Sequence, residues 1–351
     1  MTLTVSVVST ARTLPRPAQN ARSKWSERSA CVLTLKSDQG LHGQGEAAPL
    51  PGFSPDSLDA CREALSALNL NGIAEQLAPD QDLEGELRRA SSRIPQALPA
   101  ARAALEGALL DLWARAREVP AWALLLPATP KPISRAVAAL LQGEPEQAVA
   151  QAWDARARGI LTFKFKIGRP AALNRELVAV QALRAELGPL VRLRLDANQA
   201  LSVAEAKQYV PRFAACELEF IEEPCAPHDL SELNELNLRC ALDESLAAGA
   251  RPRLGDPAVI LKPTLLGGIC ACIDLARAAR AVGAEVVLSH AFEGPLGLGL
   301  SAALALSIGS ERLAHGLDLQ GASLDQLSLP FFSGRAIEAW NEPGFGLSEQ
   351  P

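Results

Sequence analysis

Short β-rich runs alternate with helix-compatible segments along most of this chain, and this alternation restricts the fold more than any other feature. The intervening segments, such as 174–187 and 273–284, are compatible with helices. Eight β-rich runs occur over roughly 200 residues: SRAVAAL, LTFKFKI, VRLRLDAN, ELEFIEE, RCALDES, AVILKPT, EVVLSHA and RLAHGLD. Eight strands alternating with helices predict a parallel β/α barrel. An open, doubly wound sheet is the alternative, but no G-x-G-x-x-G motif follows an early strand.

The first hundred residues have a different pattern. Polar and apolar residues alternate over 2–7, as in a half-buried strand, and 30–50 predicts a hairpin that turns at 38–40. Ser54 and Pro55 then predict a helix start, since serine is a good N-cap and proline suits the first helical position. Strands followed by helices indicate a small α+β domain.

Ionisable side chains stand where the predicted barrel strands end. In a β/α barrel, the carboxyl ends of the strands form the mouth that carries the active site. In this chain those positions are occupied by Lys164, Lys166, Asp196, Glu222, Asp243 and Lys262.

Lys164 and Lys166 share one face of their strand, because successive side chains point to opposite sides. The other face carries Phe163, Phe165 and Ile167, which would pack against helices and leave both ammonium groups inside the barrel. An uncompensated ammonium is costly to bury, so the pair indicates a functional site. An edge strand with a solvated lysine face is the alternative.

Asp196, Glu222 and Asp243 end three successive strands and predict a cation site. Asp196 shares its strand face with Arg192 and Arg194, a pattern that a salt-bridged barrel interior would also explain. Single acids after strands are ordinary helix caps or turn residues. Three at one mouth would repel one another unless a cation neutralised them. Hard oxygen ligands, with room for water and a substrate carboxylate, suit Mg²⁺ and not zinc.

Lys262 ends the sixth strand, across the barrel from the lysine pair. The α-proton of a carboxylate is very weakly acidic, and a divalent cation on both carboxylate oxygens stabilises the enediolate left by its removal. A lysine can serve as the base where nearby cations and burial depress its pKa. The second ammonium can stabilise developing charge or move a proton on the opposite face.

Five motifs, in this order, resemble the enolase superfamily in its muconate-lactonising branch: FKFKIG, RLDANQA, FIEEPC, LDES and LKPTLLGG. The set is specific, and the resemblance covers nearly the whole chain. Within that branch, GQGEAAPLPGFS and the SHAFEGPLGL run make the chain most similar to the o-succinylbenzoate synthase family. The resemblance implies a TIM-like (β/α)7β barrel over 101–318 and an α+β capping domain over 1–100. It also implies a C-terminal segment, 319–351, that returns to the capping domain.

The resemblance also implies a role for each matching residue. Asp196, Glu222 and Asp243 correspond to ligands of Mg²⁺, for which Mn²⁺ is an expected substitute. Lys166 corresponds to the catalytic acid/base and Lys262 to the opposing lysine. Supporting or substrate-binding positions correspond to Lys164, Arg194, Asn198, Glu223, Phe53, Ser289 and His290.

The implied reaction is a dehydration in menaquinone biosynthesis. Water leaves 2-succinyl-6-hydroxy-2,4-cyclohexadiene-1-carboxylate by way of an enediolate, and o-succinylbenzoate is formed. Lys166 would take the α-proton and return it to the departing hydroxyl on the same face. Aromatisation supplies driving force, so the protein needs mainly positioning, the cation and one base.

The seventh strand departs from part of this family. Where many synthases carry a serine-rich run, this chain has Ser289-His290-Ala291-Phe292-Glu293 and its continuation. In the mandelate-racemase branch a histidine near here is a second base, held by an aspartate of strand six. Strand six of this chain ends in Lys262, which favours a pocket or packing role for His290.

Three alternatives to the synthase remain open. Two opposed lysines also suit an N-succinylamino acid racemase. Dipeptide epimerases, the second alternative, typically carry Asp-x-Asp on the last strand, where HGLDLQG has only Asp318. A non-catalytic barrel is disfavoured, because barrel interiors rarely keep unpaired lysines without a use.

Residues 10–29 are polar, contain prolines and lack periodicity, which predicts a mobile lid. Together with the loop around Phe53, this lid is expected to close over the barrel mouth. Arg16, Arg22 and Lys24 are its candidates for contact with a substrate carboxylate.

Bulk properties narrow the partners and the compartment. The net charge of −6 gives no support for a nucleic-acid partner. An apolar run of about 18 residues, as a membrane span needs, is absent, as is the apolar block of a signal peptide. The seven cysteines are odd in number and scattered, which indicates reduced thiols. We therefore predict a cytoplasmic enzyme that acts on a small-molecule carboxylate. The sequence carries no indication of its oligomeric state.

Overall fold

An antiparallel three-stranded sheet begins the fold, and a parallel β/α barrel follows it. The computed structural model describes residues 3–19, 24–78, 81–126, 133–169, 171–236, 240–319 and 329–349. The N-terminal α+β unit, formed by the elements up to residue 126, is called the capping domain below.

The sheet of the capping domain has the order β1-β2-β3, with β1 at Thr4–Gln19, β2 at Lys24–Lys36 and β3 at His42–Ala47. The predicted turn between β2 and β3 forms, and Gly40 adopts a φ of +83° there. Glycine is the residue that adopts this left-handed conformation at no steric cost.

The described part of 10–29 lies in β1 and β2, and its closure over the barrel mouth as a mobile lid stays a prediction. β1 and β2 pair from Thr10 opposite Ala30 to Thr13 opposite Glu27, and pairing resumes at Ala18 opposite Trp25. Lys24 is exposed beside the end of this hairpin. The side chain of Arg16 and the whole of Arg22 lie outside the described residues.

The described residues of the capping domain also form four helices: α1 at Leu58–Ser66, α2 at Leu83–Ser91, α3 at Pro99–Ala116 and α4 at Ala121–Leu124. The N-cap of α1 is Ser57, whose Oγ accepts from the Ala60 N–H at 3.3 Å. The prediction that Ser54 starts this helix is wrong, because the Ser54 Oγ accepts from the Leu50 N–H at 2.8 Å in the preceding turn.

Helix α3 lies directly on β3, and the two backbones approach each other closely. A Cβ atom placed on Gly45 would lie 2.0 Å from the Ala104 carbonyl oxygen, and one on Gly43 would lie 2.2 Å from the Ala108 carbonyl oxygen. These distances are far below van der Waals contact, so only glycine fits at both positions. Almost the whole of α3 is buried as a result.

Eight parallel strands form the barrel within the described ranges. Seven of them are β5 at Ala139–Leu141, β6 at Thr162–Lys166, β7 at Arg192–Asp196, β8 at Leu218–Glu222, β9 at Cys240–Ala241, β10 at Ala258–Leu261 and β11 at Glu285–Leu288. Strands β5 to β9 form one sheet and β10 pairs with β11. Parallel bridges then close the ring at Leu242↔Val259, Ser289↔Gly316 and Val137↔His315. The predicted barrel is therefore confirmed, with an eighth strand reduced to 315–316.

The barrel helices are α5 at Pro145–Ala157, α6 at Leu173–Leu187, α7 at Val203–Ala214, α8 at Glu244–Ala247, α9 at Pro263–Leu266, α10 at Ile269–Ala281 and α11 at Pro295–Ile308. A 3-10 helix at Leu230–Leu236 follows β8 in place of an α-helix. Within the described ranges, none of the helices is long and apolar enough to cross a membrane. All seven cysteines are free thiols.

The first predicted barrel run, 134–140, is divided between two sheets. Its first half is β4, Ser134–Ala136, which pairs antiparallel with β12, Ala336–Glu338. The chain beyond β12 lies against α3: the Phe345 N–H donates to Asp111 Oδ1 at 2.8 Å. Lys36 of β2 forms an ion pair with Glu349 at 3.0 Å. The described end of the C-terminal segment thus contacts the capping domain.

Candidate active site

The strand register brings the ionisable residues of three strands side by side. Lys166 of β6 lies opposite Asp196 of β7, and Asp196 lies opposite Glu222 of β8. Asp243 follows β9 after one residue, Leu242. One carboxylate oxygen from each of Asp196, Glu222 and Asp243 lies within 4.8 Å of the others, and all three residues are buried.

A cavity at this mouth is lined from both parts of the molecule. Trp25, Leu50 and Phe53 come from the capping domain. The barrel contributes Lys164, Lys166, Arg194, Asp196, Asn198, Glu222, Lys262, Ser289, His290, Phe292 and Asp318. Asp243 lines a smaller neighbouring cavity together with Lys262 and Phe53.

Lys164 is bound between two carboxylates. Its Nζ donates to Glu222 Oε2 at 2.9 Å and lies 3.2 Å from Asp196 Oδ2. Burial lowers the pKa of Lys164, but the charges of Glu222 and Asp196 outweigh this effect and hold the pKa above its ordinary value. Lys164 therefore stays an ammonium.

Lys166 is held mainly by a neutral group. Its Nζ donates to the Asn198 amide oxygen at 3.1 Å, while Asp196 Oδ2 is 3.9 Å away. Burial lowers the pKa of Lys166, and the ammonium groups of Lys164 and Lys262 lower it further, although the Asp196 charge opposes them. Of the three site lysines, Lys166 is the one that loses its proton most easily.

Lys262 follows β10 and faces the carboxylates of the site. Its Nζ donates to Asp243 Oδ2 and lies 5.3 Å from the centre of the Phe53 ring. Burial lowers its pKa, but Asp243 and Glu244 more than compensate, and the pKa of Lys262 is raised. The three lysines thus surround the carboxylates, and two of them keep their charge.

The carboxylates respond differently to this environment. Burial alone would raise the pKa of Asp196, but Lys164, Lys166 and Lys262 lower it to about 2. Burial raises the pKa of Glu222 to about 7, and the charges of Asp196 and Asp243 add to this shift while Lys164 opposes it.

Glu223 ties together the loops after β7, β8 and β9. Its Oε1 accepts from the backbone N–H groups of Asp243 at 2.7 Å and Ser245 at 3.0 Å. Its Oε2 accepts from Ser245 Oγ at 2.6 Å and Gln199 Nε2 at 3.0 Å. The Glu223 side chain points away from the cavity. Its hydrogen bonds fix the backbone at Asp243 and so hold that side chain in place.

Asn198 is oriented by a residue that sequence reasoning missed. Its Nδ2 donates to Glu244 Oε1 at 2.6 Å, which turns the amide oxygen towards Lys166. Burial raises the pKa of Glu244 to about 8, with Asp243 as the next cause. Glu244 stands in the LDES motif, so its position beside the predicted ligand Asp243 was the available signal.

Other predicted residues line the cavity but are engaged elsewhere. Arg194 donates to Glu219 Oε2 at 2.6 Å and to the Ala314 carbonyl at 2.7 Å, across the barrel interior. Ser289 Oγ donates to the Gly316 carbonyl at 3.2 Å. Sequence reasoning gave no signal for Trp25, whose indole N–H donates to the Pro51 carbonyl at 3.1 Å.

His290 is held by backbone groups on both ring nitrogens. Its Nδ1 accepts from the Phe292 N–H at 3.0 Å, and its Nε2 lies 3.4 Å from the Asp318 carbonyl oxygen. Burial lowers the pKa of His290, although Glu293 opposes this shift. Its ring is neutral and forms part of the cavity wall.

The donor set fits a hard divalent cation. Asp196, Glu222 and Asp243 offer only carboxylate oxygens, with no imidazole or thiolate among the three, and such ligands are preferred by Mg²⁺ and Mn²⁺. The lysines around them have no acceptor atoms and can hold a substrate's negative charge.

Solved structures with the same fold include proteins of several activities. A dipeptide epimerase from Enterococcus faecalis V583, in complex with Mg and L-Leu-L-Tyr, has a TM-score of 0.82 at 22% identity, covering 99% of this chain and 100% of that one. A muconate lactonizing enzyme from Pseudomonas fluorescens has a TM-score of 0.81 at 23% identity, covering 99% of this chain and 96% of that one. An N-succinyl Arg/Lys racemase from Bacillus cereus ATCC 14579 has a TM-score of 0.81 at 17% identity, covering 100% of this chain and 96% of that one.

Curated relatives are more similar in sequence. An o-succinylbenzoate synthase from Thermosynechococcus vestitus is 30% identical over 295 residues, covering 81% of this chain and 82% of that protein. Another, from Enterobacter sp. strain 638, is 30% identical over 327 residues, covering 89% and 91%.

Two family models together span nearly the whole chain. Residues 2–125 match the mandelate racemase / muconate lactonizing enzyme N-terminal domain, and 147–349 match the enolase C-terminal domain-like family. The second match alone spans more than half of the sequence. With a capping domain, a β/α barrel and three carboxylates at the ends of successive strands, this protein belongs to the enolase superfamily, in the group defined by mandelate racemase and muconate lactonizing enzyme.

Proposed function

We propose that this protein is an o-succinylbenzoate synthase, a lyase that removes water from 2-succinyl-6-hydroxy-2,4-cyclohexadiene-1-carboxylate in menaquinone biosynthesis. The observation that carries the proposal is the unequal environment of the lysines. Lys166 alone of the three is held by an amide, while Lys164 and Lys262 are paired with carboxylates. A reaction in which one base acts on one face of the substrate needs one lysine that differs from the others in this way. The relatives that are 30% identical bear the same name.

Asp196, Glu222 and Asp243 are the residues that would hold Mg²⁺, with Mn²⁺ as a substitute. When bound, the cation would neutralise the charge that develops on the substrate carboxylate after proton removal. The pure carboxylate donor set and its burial support this assignment.

Lys166 acts as the base in this proposal. Its lowered pKa increases the fraction of free amine available to take the α-proton of the substrate. The resulting ammonium then donates that proton to the hydroxyl that leaves from the same face. Asn198, fixed by Glu244, keeps the amine in place through both transfers.

Lys164 and Lys262 supply fixed positive charge from two sides. Both ammonium groups border the cavity, where they can stabilise the electron density that the substrate carboxylate gains. Trp25, Phe53 and Phe292 add apolar and aromatic surface to the cavity, which suits a six-membered carbon ring and excludes water.

An N-succinylamino acid racemase is the second candidate, since Lys166 and Lys262 stand on opposite sides of the carboxylates. A dipeptide epimerase is disfavoured by the last strand. Both carboxylate oxygens of Asp318 are occupied by Arg158, at 2.7 and 3.0 Å, which leaves no free acid there for a substrate ammonium.

The test is turnover of the cyclohexadiene substrate with Mg²⁺, measured as loss of its absorbance. We expect rapid turnover by the wild type and loss of at least about 10³-fold in Lys166→Ala, because general base catalysis supplies gains of about that size. Lys207→Ala is the matched control, since Lys207 is half exposed and, among the described residues, makes only a 4.0 Å ion pair with Glu232.

Absence of turnover in the wild type, with racemisation of N-succinylamino acids in its place, would overturn the synthase proposal. Turnover that survives in Lys166→Ala would leave the synthase in place but refute Lys166 as its base.

A further inference from the structure

The turn after β11, residues 290–294, has a backbone conformation that is unusual for its sequence. Phe292 adopts a φ of +62°. This left-handed region is uncommon for residues other than glycine and is a genuine outlier for a bulky one. Such conformations persist where the surrounding structure over-determines them, and they cluster at functional sites.

Local bonds account for only part of this conformation. The Phe292 N–H donates to His290 Nδ1 at 3.0 Å, and the Ala291 N–H donates to Glu293 Oε2 at 2.7 Å. The carbonyl groups of Phe292 and Glu293 have other partners.

Those partners come from the capping domain. Arg12, on β1, donates through one guanidinium nitrogen to the carbonyl of Phe292 at 2.6 Å and also to the carbonyl of Glu293. The two partners are separated by 280 positions in the sequence. A cation of the capping domain therefore holds the oxygen side of the strained turn.

A carboxyl group of the capping domain holds the other side. Glu46, on β3, accepts from the N–H groups of Gly294 at 2.6 Å and Gly297 at 3.1 Å, at the start of α11. A Cβ on Gly294 would lie 2.9 Å from both Glu46 carboxylate oxygens, so glycine permits this approach. Arg12 and Glu46 thus bind opposite polar groups of one short segment.

The turn is part of the cavity wall. Ala291 and Phe292 pack with Leu14, Trp25 and Leu50 of the capping domain in a small separate apolar cluster. Trp25, His290 and Phe292 also line the main cavity. The contacts that fix the turn therefore fix the surface presented to a bound molecule.

We propose that Arg12 and Glu46 are positioning residues that set substrate affinity by holding the strained 290–294 turn against the cavity. Neither is among the groups that touch the reacting atoms. Without Arg12, Phe292 relaxes to a negative φ and its ring leaves the wall. The proposal rests on the synthase activity proposed above, because it concerns the pocket for that substrate.

Steady-state kinetics on Arg12→Ala, Arg12→Lys and Glu46→Gln test the proposal. We expect Arg12→Ala to raise KM at least about tenfold, with kcat within about twofold of the wild type, since small misplacements of a binding wall weaken binding by such factors. Arg12→Lys keeps one donor and should recover part of the loss. Glu46→Gln, which is isosteric, should raise KM in the same direction.

Arg62→Ala is the matched control, because Arg62 is an exposed arginine of the same domain whose one ion pair in the described part of the chain is with Asp59. Mg²⁺ affinity, measured by calorimetry, should be unchanged in every variant. An unchanged KM in Arg12→Ala would overturn the proposal. So would a fall in kcat at constant KM, which is the signature of a smaller folded fraction.

Calorimetric titration with o-succinylbenzoate separates this proposal from the synthase itself. Failure of the wild type both to turn over the substrate and to bind o-succinylbenzoate refutes the synthase, and this inference falls with it. Equal binding by the wild type and Arg12→Ala refutes the positioning role alone and leaves the synthase standing.

Discussion

A single methyl group added at Gly45 should force α3 away from the sheet of the capping domain. The new Cβ would lie 2.0 Å from the Ala104 carbonyl oxygen and 2.8 Å from the Ala108 nitrogen. Both are backbone atoms of α3, so no side-chain rotation can relieve the clash. The φ of Gly45 is not in the left-handed region, and the obstacle is therefore purely steric.

The size of the effect follows from how much must move. Overpacking by a methylene where only side chains need to adjust costs about 1–3 kcal/mol, and a rigid backbone contact belongs at or above the upper end of that range. Gly107 offers the opposite case on α3 itself. Its added Cβ would meet Leu300 Cδ2 at 3.6 Å, an ordinary contact, and alanine is favoured over glycine inside a helix by about 0.5–1 kcal/mol.

Urea unfolding of the two variants measures the change in the free energy of unfolding, which should be opposite in sign for the two. Gly45→Ala should lower the free energy of unfolding by about 3 kcal/mol and Gly107→Ala should raise it by up to about 1 kcal/mol. A Gly45→Ala protein within about 0.5 kcal/mol of the wild type would refute the steric reasoning, since surface changes typically fall within that limit. Shifts of the same sign in both variants would also refute it.

Three further predictions concern the metal site and the barrel closure. Glu223→Gln should weaken Mg²⁺ binding by about 10–100-fold in calorimetry, because an amide cannot accept all the hydrogen bonds that the carboxylate accepts; unchanged affinity would contradict this. Since burial raises the pKa of Glu222 to about 7, and a ligand must lose its proton to bind, Mg²⁺ affinity should fall as the pH is lowered below 7; a pH-independent affinity would argue against Glu222 as a ligand. Burial lowers the pKa of His315 to about 3, so its contribution to stability is complete above its unfolded pKa of about 6.5 and is lost towards pH 3, by up to about 1.4 kcal/mol per unit. Urea unfolding at two pH values should therefore show a weaker pH dependence for His315→Gln, and equal slopes would count against the assignment.

The barrel and the grouping of its charged residues could be predicted because their signals are local. Lys164 and Lys166 alternate with phenylalanines, and parallel register then places Lys166 opposite Asp196 without further information. The hairpin of β1 and β2 could not be predicted in this way. Its two strands are separated by a polar, proline-bearing segment, and that segment lacks the alternation of polar and apolar residues that would indicate a strand.

Contacts between distant segments were also beyond local reasoning. Arg12 was one polar residue in an irregular stretch, and its partners lie 280 and 281 positions away. Glu46 stood inside the recognised GQGEAAPLPGFS motif, but its partners stand 248 and 251 positions further on. The roles of both residues follow only from the fold, which places the capping domain over the barrel mouth.

The short eighth strand has a consequence for how the protein is made. Sheet β5–β9 carries Lys164, Lys166, Asp196 and Glu222, and all of it can pair before the residues that follow β9 have been made. Closure depends on His315, whose N–H donates to the Ala136 carbonyl at 2.8 Å and whose carbonyl accepts from the Ala138 N–H at 2.7 Å. During synthesis the first and fifth strands of that sheet are therefore open edges, and such edges invite pairing with other chains. A nascent chain that forms this sheet during synthesis keeps an open edge until residue 316 has left the ribosome.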